Sequence, residues 1–253
     1  MTRHGAGTVE GLYKVEYEMR GRAGHSVMVA HAGRLIGGNT SFALLGSCED
    51  IDGEIAAEIH TQRHHPSRTY PKLLESDEVT IRMRGKPHGG AIRFTGEVIE
   101  EPGNQFRALM TPFSEDDIPP RGAVGGGGIV SGLYALEMRM PEGTARIDTG
   151  VMLLHDGRIL GSDAFFYYVG AYSSASGRWK GEFVNQEHTP AKIARPLFGG
   201  REVGLGFSGP CDATSADAEA FALAGKRSIR FAAALKLIEP IGLEGSVSLP
   251  DVI

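Results

Sequence analysis

Cysteine occurs twice and tryptophan once in 253 residues, and neither sign of charge dominates. Cys48 and Cys211 are too few for a disulfide framework, and two free thiols suit a reducing compartment. The net charge is −5, with 14 basic against 17 acidic residues up to Val124 and 12 against 14 beyond it. No basic surplus is available for nucleic acid or an anionic membrane. No run approaches the roughly 18 apolar residues that a membrane helix requires. The first residues, Met1 to Gly7, are polar and lack the apolar core of a secretion signal. The expectation is a cytoplasmic protein with no direct nucleic-acid or membrane contact.

Catalytic signatures are missing as well. There is no G-x-S-x-G elbow, no Cys-His signature and no H-E-x-x-H pair. His60, His64 and His65 cluster, but on a segment that reads as a strand entering a turn. There, i, i+4 spacing does not bring two rings to one face, so they read as turn residues and not as metal ligands. Gly125 to Gly128 follow no strand and fit no phosphate-loop pattern. The reading is a non-enzyme without metal or cofactor.

Glycine, by contrast, is abundant, at 36 residues, which implies many tight turns and short strands. The chain also repeats itself. Gly11-Leu12-Tyr13 recurs as Gly132-Leu133-Tyr134, and His31-Ala32-Gly33-Arg34-Leu35-Ile36-Gly37 as His155-Asp156-Gly157-Arg158-Ile159-Leu160-Gly161. At the second offset Gly46 falls on Gly170, Gln62 on Gln186, and His64 with Pro66 on His188 with Pro190. This is a tandem duplication of a unit of about 110 residues. Residues 1–113 form the first copy, the acidic, Pro- and Gly-rich stretch 114–129 a linker, and 130–253 the second copy.

Within a copy, short alternating segments such as Val79-Thr80-Ile81-Arg82-Met83 are bounded by Gly, Asn or Asp, giving about eight strands in sequential order. Helical candidates are confined to Pro71 to Ser76 and Ala191 to Arg195. An eight-stranded meander leaves two bare edges unless it closes. The fold expected is all-β, two tandem eight-stranded antiparallel up-and-down barrels with at most one short helix each.

The ordered set Gly11-Leu12-Tyr13, His31-x-Gly33-Arg34-Leu35-x-Gly37-Gly38-Asn39, Gly46 and Gln62-Arg63-His64 resembles the GrlR family, negative regulators of type III secretion gene expression. The second copy repeats the pattern through Tyr167-Tyr168-Val169-Gly170. The resemblance implies lipocalin-like barrels, transcriptional regulation through binding of a protein partner such as an activator, and a chain that is its own pseudo-dimer, with further dimerisation left open. The family's acidic surface turn corresponds here to Glu49, Asp50 and Asp52, the candidate partner contacts. The second copy has Ser173-Ser174-Ala175-Ser176-Gly177 there, without acids. Asp and Gly are also ordinary hairpin residues.

Two further features carry expectations. Phe165, Phe166, Tyr167 and Tyr168 are consecutive, so alternation sends one pair into the barrel and the other outward, toward the other repeat or a dimer partner. Barrels of eight strands either fill with side chains or hold one small molecule. A carrier or sensor of a small apolar ligand is therefore the alternative to the regulator. Its candidate inward residues, Met28, Met83, Phe94 and Met110, or Phe207, Phe221 and Phe231, suit a filled core equally, and Ala232 to Ala234 either enlarge the second barrel or suit close packing.

Overall fold

The structure is a computed structural model that describes residues 9–65, 76–114, 116, 118–139, 147–190, 202–224 and 227–242. The first copy supplies β1 (Gly11–Met19), β2 (Arg22–His31), β3 (Arg34–Gly38), β4 (Phe42–Ile51), β5 (Glu54–Arg63), β6 (Thr80–His88), β7 (Ala91–Val98) and β8 (Gln105–Pro112). The second supplies β9 (Gly132–Arg139), β10 (Ile147–His155), β11 (Arg158–Ser162), β12 (Phe166–Ala175), β13 (Arg178–Glu187), β14 (Gly204–Pro210), β15 (Ser215–Ala224) and β16 (Arg227–Pro240). Each set is a closed antiparallel barrel in chain order, sealed by β1 on β8 and by β9 on β16. No helix occurs among the described residues, and both helical candidates fall outside them but for Ser76.

The glycine excess has a local cause. Arg20-Gly21, Ala32-Gly33, Asp52-Gly53, Asp156-Gly157 and Ser176-Gly177 all hold positive φ at both positions. That backbone makes the two-residue hairpin turn whose twist matches the flanking strands. Between turns the strands alternate. Ile81 and Met83 of β6 face inward, while Arg82 and Arg84 face out and pair with Glu58 and Glu54 of β5, both at 2.9 Å.

Three apolar layers result: one inside each barrel and one between them. The middle layer pairs matching residues of the two copies, Leu12 with Leu133, Val27 with Val151, Val29 with Leu153 and Ile36 with Leu160 as its counterparts. His31 and its counterpart His155 also meet, at 5.7 Å between ring centres. Contact of a patch with its own copy is the signature of a two-fold interface, here within one chain. Lys14 Nζ donates to Gln186 Oε1 at 2.9 Å across it, and Arg34 pairs with Glu239.

The stretch read as a linker is not a loose tether at its end. Residues 122–127 lie along β12, with Ser174 N donating to Ala123 O at 3.0 Å, Gly125 N to Ser174 O at 2.8 Å and Gly177 N to Gly127 O at 2.7 Å. Val124 forms a parallel bridge with Ser174. A Cβ on Gly122 would lie 1.9 Å from the Tyr172 carbonyl oxygen, so close backbone approach explains that glycine. Composition suggested a break in strand structure; backbone pairing to the second barrel supplies the missing partners instead.

Candidate functional site: a chamber in the first barrel

The two barrels are filled differently. Inward positions of the first hold Leu44, Cys48, Ile55, Ile59 and Met83, whereas their counterparts in the second are Tyr168, Tyr172, Trp179, Phe183 and Phe207. Those five rings are all buried, and the inward positions of β15 are Ala216, Ala218, Ala220 and Ala222, which make room for them. Trp179 Nε1 donates to the Asp217 carbonyl at 2.8 Å, and the Trp179 and Phe207 ring centres lie 4.4 Å apart. The first barrel, with aliphatic side chains in the same places, keeps a cavity of about 540 Å³. Val15, Met28, Leu35, Ile59, Ile81 and Met83 are among its walls. That volume lies in the range of small-molecule sites, about 300–1,000 Å³.

One end of this chamber is polar. The ladder runs Val27 to Gly38, Gly38 to Ala43 and Ala43 to Gln62, with Phe42 paired to Arg63. One residue along that row, Ser26, Asn39, Phe42 and Arg63 all reach the lining. Asn39 Nδ2 donates to the Tyr17 hydroxyl at 3.0 Å, and burial pushes that phenol up to about 12. The Tyr17 ring lies over Gly24, where any Cβ would come within 2.3 Å of it. The Arg63 guanidinium sits 4.3 Å from the Phe42 ring centre, and its Nε pairs with Asp77. Arg63 Nη2 and the Ser26 hydroxyl are buried with no hydrogen-bond partner among the described residues.

The second barrel completes the rim with Asp163, Ala164, Phe165, His188 and Thr189. His25 of the first barrel stacks on His188 at 4.2 Å, and Tyr167 lies 4.6 Å from His188. Desolvation, reinforced by the neighbouring His25, lowers the His188 pKa to about 3, and desolvation lowers His25 too. Both imidazoles are therefore neutral near pH 7.

The repeated histidines brace a repeated turn. Asn39 Oδ1 accepts from the Ser41 and Phe42 amides, and Asp163 Oδ1 from those of Phe165 and Phe166. His64 Nε2 lies 3.0 Å from the Asn39 carbonyl and His188 Nε2 3.2 Å from that of Asp163. A ring nitrogen facing a carbonyl carries the proton and donates. Asp163 also accepts from the Tyr168 hydroxyl, yet burial dominates and raises its pKa to about 6.

The residues singled out in the sequence are dispersed. Phe166 and Tyr168 point into the second barrel and are not interface residues, because the Asp163 turn starts β12 with Phe166 facing inward. Tyr167 enters the layer between barrels, and Phe165 reaches the chamber rim. Glu49, Asp50 and Asp52 lie at the β4–β5 hairpin, at the far end of β4 from Phe42. Asp50 Oδ1 accepts from the Gly53 amide at 2.8 Å, and Asp52 has φ of 57°, so both shape the turn. Among the described residues no three His, Cys, Asp or Glu are grouped to hold a metal.

Met28, Met83, Phe94 and Met110 face the first interior, and Phe207 and Phe231 the second. Phe221 does not: it is 46% exposed on the outer face of β15, beneath Arg230. Alternation in β15 gives the inward places to its alanines. Arg63 and Ser26 were missed as site residues. The signal was an asymmetry between copies, since at the common offset Arg63 becomes Glu187 and Ser26 becomes Gly150.

Comparison with known proteins adds little. No family model matches the chain, and no curated protein does. A solved structure from Bacteroides fragilis NCTC 9343, named a "putative outer membrane protein", aligns over 90% of this chain and 97% of its own at 8% identity, with a TM-score of 0.26. Likeness at that level carries no argument about fold or role.

Proposed function

We propose that the first barrel is a binding chamber for one small, largely apolar molecule, and that the protein is a carrier or sensor and not an enzyme. The unequal filling of two barrels built to one plan carries this reading. Aromatic side chains occupy the second interior, and the first keeps about 540 Å³ beside apolar walls. The neutral fluorophore N-phenyl-1-naphthylamine tests it. One molecule should bind per chain with blue-shifted emission, and Ile59→Phe combined with Met83→Phe, which installs the second barrel's residues, should abolish the signal. Unchanged binding in that folded variant would refute the reading.

A second reading, partner binding in the GrlR manner, is favoured by the β4–β5 hairpin. There Ile51 is 44% exposed between exposed Glu49 and Asp52. An apolar tip flanked by acids suits a basic protein surface, although Glu54 beside it already pairs with Arg84 and Lys86. Glu49→Gln with Asp52→Asn keeps residues that tolerate the turn. It should weaken, in a salt-dependent way, any protein that co-purifies with the chain from its host. Retention of that partner at wild-type strength would remove the hairpin from consideration.

A further inference from the structure

We propose that the chamber's ligand is an amphipathic carboxylic acid, with its carboxylate at Arg63 Nη2 and the Ser26 hydroxyl and its apolar body along Val15, Met28, Ile59 and Met83. The inference rests on the chamber reading above and specifies its ligand class. A wholly apolar guest would leave two buried donors unpaired, which is unfavourable in a dry interior. Ser26 is fully buried, and the Arg63 side chain is 13% exposed. Both face inward from one row of the ladder at the same end of the barrel.

The charges around the rim fit an anion. Asp77 engages Nε of Arg63 and is itself 65% exposed, on the solvent side. Asp163, the carboxylate of the rim, accepts from two amides and the Tyr168 hydroxyl, so its oxygens are committed elsewhere. Arg22 stands exposed at the same opening, where a second cation draws anions inward. His25 and His188 are held neutral by desolvation and add no competing charge near pH 7. The buried lining atoms without a hydrogen-bond partner among the described residues are a guanidinium nitrogen and a hydroxyl, and a carboxylate accepts from both with a charge-assisted hydrogen bond.

The test is displacement of N-phenyl-1-naphthylamine at pH 8 by dodecanoate and, separately, by dodecanol, which share a chain and differ in the head. Dodecanoate should bind about tenfold tighter or more. Arg63→Met should erase that preference by weakening dodecanoate alone, and Arg63→Lys should restore part of it. Ser26→Ala, a smaller change at a buried site, keeps the test open if the Arg63 variants do not fold. It should weaken dodecanoate several-fold and leave dodecanol unchanged. Equal binding of acid and alcohol to the unaltered protein, with the probe still expelled by Ile59→Phe and Met83→Phe, would overturn the carboxylate inference and leave the chamber standing. Absence of probe binding would overturn the chamber reading itself.

Discussion

The two barrels share strand order, turn chemistry and the braced β-turn, yet the first keeps a chamber where the second is crowded with buried rings. The difference lies in a handful of inward positions. Aliphatic residues at 44, 55, 59 and 83 give way to aromatic ones at 168, 179, 183 and 207, with small residues on β15 receiving the rings. A barrel of this strand number sits at the boundary between filling and enclosing, so a few rings suffice to cross it. Closure and backbone pairing fix the frame, and side-chain volume decides what the frame contains.

The comparison can be broken most completely by Ile59→Phe with Met83→Phe. Probe binding should vanish while stability, read by urea unfolding, changes by no more than about 1.5 kcal/mol, because the rings enter existing space. Next comes truncation at matched positions. Phe183→Ala should cost about 3–5 kcal/mol by opening a void in a packed interior. Its counterpart Ile59→Ala should cost about 2 kcal/mol, since Ile59 already borders empty space. Equal losses would contradict the distinction between the ring-packed site and the one beside the chamber.

Titration should separate the copies further. His188 is held far below its ordinary 6.5, so its contribution is present above pH 6.5 and is lost as pH falls toward about 3. The loss should be about 2–4 kcal/mol, and His188→Gln, which cannot take the proton, should flatten that limb. Asp163 works in the opposite sense. Its raised pKa means that stability present below the ordinary carboxylate range is lost as pH rises through about 6. Asp163→Asn reproduces the first copy's Asn39 and should recover about 2 kcal/mol at pH 7.5. Both are measured as unfolding free energy against pH. The smallest effect is expected on the outer face, where Glu58→Gln should shift stability by about 0.5 kcal/mol or less, since its ion pair with Arg82 is exposed.

Much of the frame is legible in the sequence. The duplicated His-x-Gly-Arg turns, the x-Gly hairpins and the alternation of Val79 to Arg84 give two barrels directly, because each is a local rule. The contents are not legible in the same way. Inward facing along β12 is set by the Asp163 turn, so four consecutive aromatics leave the pair open until that turn is seen. Ala232 to Ala234 fit either a roomier second barrel or close packing, and the alanines that face the second interior are those at 216, 218, 220 and 222, packed among the rings. Arg63 stands in a Gln-Arg-His triplet shared with the family resemblance. Only the cross-barrel row to Ser26, through four strands, reveals it as part of a rim.

The meeting of His31 with His155 has a consequence for how such a protein can change. In a pair of identical chains every substitution at the axis appears twice and confronts itself. Once both halves belong to one polypeptide, that constraint lifts, and each side can be altered alone. Lys14 reaching Gln186 is an example: the matching positions, Ala135 and Gln62, have no amine to form the same bond. One half was thereby free to take rings into its interior and to wall its neighbour's doorway, while the other kept its room.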